Sequence, residues 1–160
     1  MSDILEDDDL PQTDDRHPAD VVTSLISRSL ILVETWTAWD GRALAVDDRV
    51  YTPHKAIRRL ADHLLDHLAE IEARVAGVKP LADEWHASLS TTPADLAPFT
   101  EDDLDEARSR LTRLAQLFDV RLRSLSAEEL DRMDGGWSPR QIAFHLEGSI
   151  YYADAVGRLR

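Results

Sequence analysis

Four stretches of this chain carry apolar residues at a spacing of about 3.6, and three of them open on an explicit helix-start signal. Thr52-Pro53 and Ser138-Pro139 each set an N-cap hydroxyl before a proline at the first helical position, where its missing N–H costs nothing. Thr100-Glu101-Asp102-Asp103 sets an N-cap before acidic residues that suit the positive end of the helix dipole. The first stripe is Val22, Ile26, Leu30 and Val33, and the second runs from Ile57 through Leu60, Ala61, Leu64, Leu68 and Ile71 to Val75. The third contains Leu104, Ala107, Leu111, Leu114, Ala115, Phe118 and Leu122, and the fourth Ile142, Leu146, Ile150, Ala153 and Val156. Four amphipathic helices bury their stripes together when they pack side by side, so the expected fold is all-α, a four-helix bundle.

Breaker residues set the boundaries. Gly41 closes the first helix after Trp36 and Trp39, and Gly77 stops the second. Residues 42–51 read as a connector, with Arg49-Val50-Tyr51 too short to argue for a sheet. The link from Val78 to Phe99 contains Pro80, Pro93 and Pro98 and is long enough to expect a short helix around Ala94 to Ala97. Ser126-Ala127-Glu128-Glu129 is a capping box for a turn of helix ending near Met133, and Gly135-Gly136 breaks the chain again.

Charge separates the N-terminus from the rest. The chain has a net charge of −13, and eight acidic residues against Arg16 alone fall within the first twenty positions. Residues 1–18, poor in apolar side chains, are expected to form a disordered acidic tail, leaving 19–160 as a single bundle domain. Such a surface repels phosphate backbones, so nucleic acid is not an expected partner. No apolar run approaches the roughly 18 residues of a membrane span, and the acidic start does not read as a secretory signal. The chain has no cysteine, which excludes disulfides, thiolate ligands and a cysteine nucleophile. A cytoplasmic location is expected.

Chemistry concentrates in the histidines. His63 and His67, in Asp62-His63-Leu64-Leu65-Asp66-His67, project from one helix face with Cβ atoms roughly 5–6 Å apart. His145 holds a similar place beside Ile142 and Ile150 on the fourth helix, next to the small residues Gly148 and Ser149. Three neutral imidazoles leave positions open on a metal, as catalytic sites do, with Zn²⁺ and Ni²⁺ best suited and Mn²⁺ or Fe²⁺ admitted. The zinc-protease motif HExxH is absent, because Leu64 follows His63. An i,i+4 histidine pair is also common in helices that bind nothing, so a structural role stays open beside the metal.

Other residues carry weaker signals. His54 is the best substitute ligand; His86, in the long link, is a candidate to fold over the cavity mouth, with a surface position the default, and Trp85 reads as packing or as a pocket wall. His17 belongs to the tail, and Trp36, Trp39 and Trp137 read as packing. Tyr152 lies two turns beyond His145, on the same face. Glu147, Asp66 and Glu70 are candidates to orient ligating histidines, with solvated helix charges the default for Asp66 and Glu70.

The segment Trp137-Ser138-Pro139-Arg140-Gln141-Ile142-Ala143-Phe144-His145 resembles the Trp-(Ser/Thr)-x-x-x-(Ile/Leu)-x-x-His opening of a metal-bearing helix in the DinB-like superfamily. His63-Leu64-Leu65-Asp66-His67 resembles that superfamily's HxxxH helix. The resemblance covers two of the four helices. It implies a four-helix bundle holding a divalent metal through His63, His67 and His145. YfiT-type hydrolases, mycothiol-dependent maleylpyruvate isomerases and bacillithiol transferases are members, so it also implies a small-molecule substrate and a low-molecular-weight thiol as cosubstrate. A homodimer is a further implication. The helix order is reversed relative to the superfamily, as a circular permutation would make it. Thiol transfer, isomerisation and hydrolysis all remain open, and so does a non-catalytic interaction module with structural histidines.

Overall fold

The computed structural model describes residues 10–82 and 86–160. The fold is mostly helical with one small two-stranded sheet. Helix α1 spans Pro18–Val33, α2 Pro53–Val75, α3 Glu101–Ser124, α4 Ala127–Asp131, α5 Pro139–Glu147 and α6 Ile150–Val156. The start signals act as their chemistry dictates. The Thr52 hydroxyl accepts from the Lys55 N–H, and Thr100 and Ser138 form reciprocal capping boxes with Asp103 and Gln141. Gly77 follows α2 at φ 71, a left-handed conformation that glycine enters without a Cβ penalty.

Helix α1 packs against α3, α5 and α6, while α2 packs against α3 and α6 and also touches α5. The central core joins Leu25 and Ile26 of α1 to Leu64 and Leu68 of α2, Leu111 and Phe118 of α3, and Ile142 and Leu146 of α5. Each such buried side chain contributes about 1.5–3 kcal/mol relative to exposure. A second cluster joins Trp36, Tyr51, Ile57, Phe99, Ala153 and Val156. Trp36, 1% exposed, donates its indole N–H to the Gly157 carbonyl at 2.7 Å and so ties the end of α1 to the end of α6. Val75 alone of the α2 stripe is exposed, at 45%, because it lies in the last turn.

Three local features differ from the sequence reading. Helix α1 ends at Val33, and Trp36–Ala38 form a separate 3₁₀ turn before Gly41, so Gly41 does not close the first helix. The 42–51 connector contains a hairpin, with β1 (Leu44–Val46) antiparallel to β2 (Arg49–Tyr51) and Leu44 opposite Tyr51. Its turn places Asp47 at φ 54, a conformation aspartate tolerates better than most residues. The fourth helical stretch is two helices: at Gly148 and Ser149 the backbone stays right-handed but tightens. Gly148 N donates to His145 O and Ser149 N to Leu146 O, bonds of i to i−3 type.

The segment between α2 and α3 is fastened to α2. Within it, His86–Leu89 and Pro93–Leu96 form short 3₁₀ turns, the second close to the expected helix at Ala94 to Ala97. The Thr52 hydroxyl donates to the Asp95 carbonyl at 2.6 Å. Arg58 donates to the carbonyls of Ser88 and Ser90 and pairs with the buried Asp95 carboxylate at 2.8 Å. Lys55, only 3% exposed, donates to Val50 O and Thr91 Oγ1, both at 2.9 Å, and burial pushes its pKa down. These bonds hold Ser88 against α2.

Of the 1–18 tail, residues 1–9 lie outside the described set. Arg16 pairs with Glu147 at 2.7 Å, and His17 caps α1 by accepting the Ala19 N–H at Nδ1. No helix among the described residues is long and apolar enough to cross a membrane.

Candidate metal centre

Helix α2 and the α5–α6 pair bring His63, His67 and His145 together. The ring centroids stand 4.9 Å apart for His63 and His67, 5.0 Å for His63 and His145, and 5.1 Å for His67 and His145. One nitrogen from each ring lies within 4.8 Å of the others, an arrangement that can hold a metal ion. The first pair follows from helix geometry. His145 joins them because the Ser138 capping box and Pro139 start α5 two turns earlier, facing α2.

The outer nitrogens of His63 and His67 have partners. His63 Nδ1 lies 2.7 Å from Ser149 Oγ, which is buried by the tightened turn between α5 and α6. His67 Nδ1 lies 3.0 Å from Glu70 Oε2, and Glu70 Oε1 accepts from Arg74 Nη2 at 2.8 Å. Arg74 also donates through Nη1 to the Trp137 carbonyl, joining α2 to the residue before the α5 cap. The Trp137 ring packs on His145 with centroids 4.6 Å apart. A hydroxyl or carboxylate accepting Nδ1–H leaves Nε2 as a lone pair, which is how metal-binding histidines are oriented.

His63 Nε2 and His145 Nε2 are 3.1 Å apart. Two ligands at the usual zinc–nitrogen distance of about 2.0–2.1 Å stand about 2.9–3.4 Å apart, so the spacing fits a shared ion. Burial, reinforced by the neighbouring His67 and His145, pushes the His63 pKa down to about 3. Burial and then His67 push His145 down as well. Both rings are therefore neutral at neutral pH, the form that ligates. For Glu70, burial works to raise the pKa, but the His67 hydrogen bond and the Arg74 charge outweigh it and hold it low.

A cavity of about 370 Å³ opens beside the triad, lined by Arg59, Asp62, Asp66, Ser88, Trp137 and Tyr152 among others. His63 and His145 also border a second cavity of about 290 Å³ with Gly148, Ser149 and Tyr151. His63 and His145 thus border both cavities.

The remaining sequence candidates fall elsewhere or outside the described set. His54 hydrogen-bonds the Pro98 carbonyl at 3.0 Å and packs on Phe99, beyond the triad's cavity. Trp85 and the side chain of His86 lie outside the described residues. Glu147 turns to Arg16, whereas Glu70 supports His67, and Tyr152 faces the cavity. Sequence reasoning missed Arg59 and Ser88. Arg59 had a signal, since it precedes His63 by four residues in the same row of α2. Ser88 had none, because its place depends on how the link folds back. No family model, curated protein or solved structure matches the chain.

Proposed function

We propose that this chain is a divalent-metal-binding four-helix bundle of the DinB-like type, and that the metal serves an enzyme acting on a small molecule. The observation that carries this reading is the convergence of three histidines, two of them neutral by burial, at the edge of a cavity large enough for a small ligand. Three long helices and the paired α5–α6 supply the bundle. The motif resemblance at Trp137 to His145 and at His63 to His67 supports the family, with the helix order permuted.

His63, His67 and His145 hold the ion, and Glu70 and Ser149 fix two of the rings from behind. Zn²⁺ or Ni²⁺ suits three imidazoles, with Mn²⁺ or Fe²⁺ next. The ion supplies Lewis acidity at its remaining coordination positions. The reaction is thiol transfer, isomerisation or hydrolysis, and in a chain without cysteine any thiol is a small external cosubstrate. The same reading carries a cytoplasmic location and a homodimer.

Metal analysis of protein purified without a histidine tag, followed by calorimetric titration with Zn²⁺ and Ni²⁺, tests it. One ion per chain is expected. Failure to retain or take up either ion, with no gain in melting temperature, overturns the proposal. The 3.1 Å between His63 Nε2 and His145 Nε2 also matches an N–H···N hydrogen bond, which favours a second reading. In that reading the histidines are structural and the chain is a non-catalytic interaction module.

A further inference from the structure

The cavity beside the triad contains a cation that metal binding does not use. Arg59, His63 and His67 occupy one row of α2 at i, i+4 and i+8, and all three line the cavity. Arg59 Nη1 donates to Ser88 Oγ at 2.7 Å, and Nη2 donates to Tyr152 Oη at 3.0 Å. Both partners are neutral hydroxyls. Among the described residues Arg59 has no carboxylate partner, whereas Arg58 beside it pairs with Asp95 at 2.8 Å and lies 4.0 Å from Asp62. Ser88, 3% exposed, donates its hydroxyl hydrogen bond to Asp62 Oδ2 at 2.6 Å, so its oxygen is held in place to accept from Arg59.

Among the described residues the guanidinium is therefore positioned by hydroxyls and not by a carboxylate. Two of its five N–H groups are occupied among these residues, by Ser88 and Tyr152. Its Cζ lies 5.1 Å from the Tyr152 ring centroid, and the His63 ring lies 6.3 Å from the same centroid. One helical turn, about 5–6 Å, separates the Arg59 position from the first imidazole. Among the described residues Arg59 stands against Asp62 and Asp66 in the cavity lining, so a divalent ion on the triad would leave the loaded cavity net positive.

We propose that this cavity takes a small monocarboxylate, with its carboxylate on Arg59 and a second, neutral donor atom directed at the triad. The inference rests on the metal-site reading for its second contact. The planar fork of Arg59 matches a carboxylate. A phosphate dianion carries an extra charge against Asp62 and Asp66 in the same lining.

Titrations of ¹⁵N-labelled full-length protein, followed on the Arg59 side-chain and Trp137 indole resonances, decide it. The probes are succinamate, which has one carboxylate and one amide, its neutral analogue succinamide, and inorganic phosphate. Succinamate is expected to bind at least about tenfold more tightly than succinamide, with or without Zn²⁺, and more tightly still in the loaded form. Arg59→Gln should erase the preference, Arg59→Lys should reduce it, and neither should alter Zn²⁺ uptake. Should Arg59→Gln not fold, Arg59→Lys reads the same loss of the fork. Equal binding of succinamide, an unchanged preference in both variants, or tighter binding of phosphate overturns the proposal. Failure to take up Zn²⁺ overturns the metal site instead, and the metal-free titration still decides the role of Arg59.

Discussion

The Glu70 carboxylate lies 3.0 Å from Nδ1 of His67, three residues earlier on the same helix. Arg74 holds the other oxygen of that carboxylate at 2.8 Å, so the imidazole is oriented by a charged pair rather than by water. Replacing Glu70 with Gln keeps the shape but removes the charge that favours Nδ1–H. Metal affinity should fall by about 10–100-fold while the stoichiometry stays at one, as read by calorimetry. An unchanged affinity would show that His67 is oriented without Glu70.

His67→Ala removes a proposed ligand. An ion at a hundred times its Kd stabilises the fold by about 2.7 kcal/mol. In a domain of this size that is about 5–10 °C in melting temperature. The variant should lose most of that gain with Zn²⁺ and retain a cooperative transition in its absence. Should the full gain survive, Zn²⁺ binds elsewhere.

The metal-free protein should be sensitive to acid. Burial and neighbouring imidazoles hold His63 near 3, and burial and His67 also lower His145, while the unfolded chain protonates near 6.5. As pH falls below about 6.5 the unfolded state takes up protons that the folded state refuses, so stability is lost across the window down to about 3. Each such histidine adds a slope of up to about 1.4 kcal/mol per pH unit. Glu70, also lowered in the fold, acts in the same direction at the acidic end. Urea midpoints should hold between about pH 7.5 and 6.5 and decline from there to about pH 5, and a flat profile below about pH 6.5 would contradict neutral buried rings.

Asp95 anchors the wall of the cavity from a distance. It is 3% exposed, pairs with Arg58 and accepts the Thr92 N–H at 2.8 Å within the cap of the Pro93–Leu96 turn. Asp95→Ala should cost about 3 kcal/mol, since it leaves Arg58 without its buried partner. It should also loosen Ser88, which Arg58 holds through its carbonyl. Denaturant unfolding gives the first effect, and faster amide exchange over residues 86–92 gives the second.

Helix boundaries were legible where a side chain bonds its own neighbourhood. Thr52, Thr100 and Ser138 cap within three residues, so their signals survive without tertiary context. His63 and His67 were legible for the same reason, since one helical turn sets their geometry. The hairpin was not, because three-residue strands show no period and its Asp47-Asp48 turn lacks the usual Asn-Gly signature. The tightening at Gly148 and Ser149 left the apolar spacing of the fourth stripe intact, and spacing alone read it as one helix. Glu70 looked like a solvated charge until Arg74 and His67 were seen on either side of it. Ser88 and Ser149 act across 29 and 86 residues of sequence, on Arg59 and His63 respectively, distances no local pattern reports.

The stapling of the 86–98 link to α2 has a mechanical consequence. Arg59, His63 and His67 belong to that helix, and Ser88 is bonded to it, so one jaw of the cavity is built on a single helix. The opposing jaw, with Trp137, His145 and Tyr152, rides on α5 and α6. Sliding one jaw along the other would change the span of the nitrogen triangle and the width of the cavity together. Ion geometry and ligand fit are thereby geared to a single seam between helices.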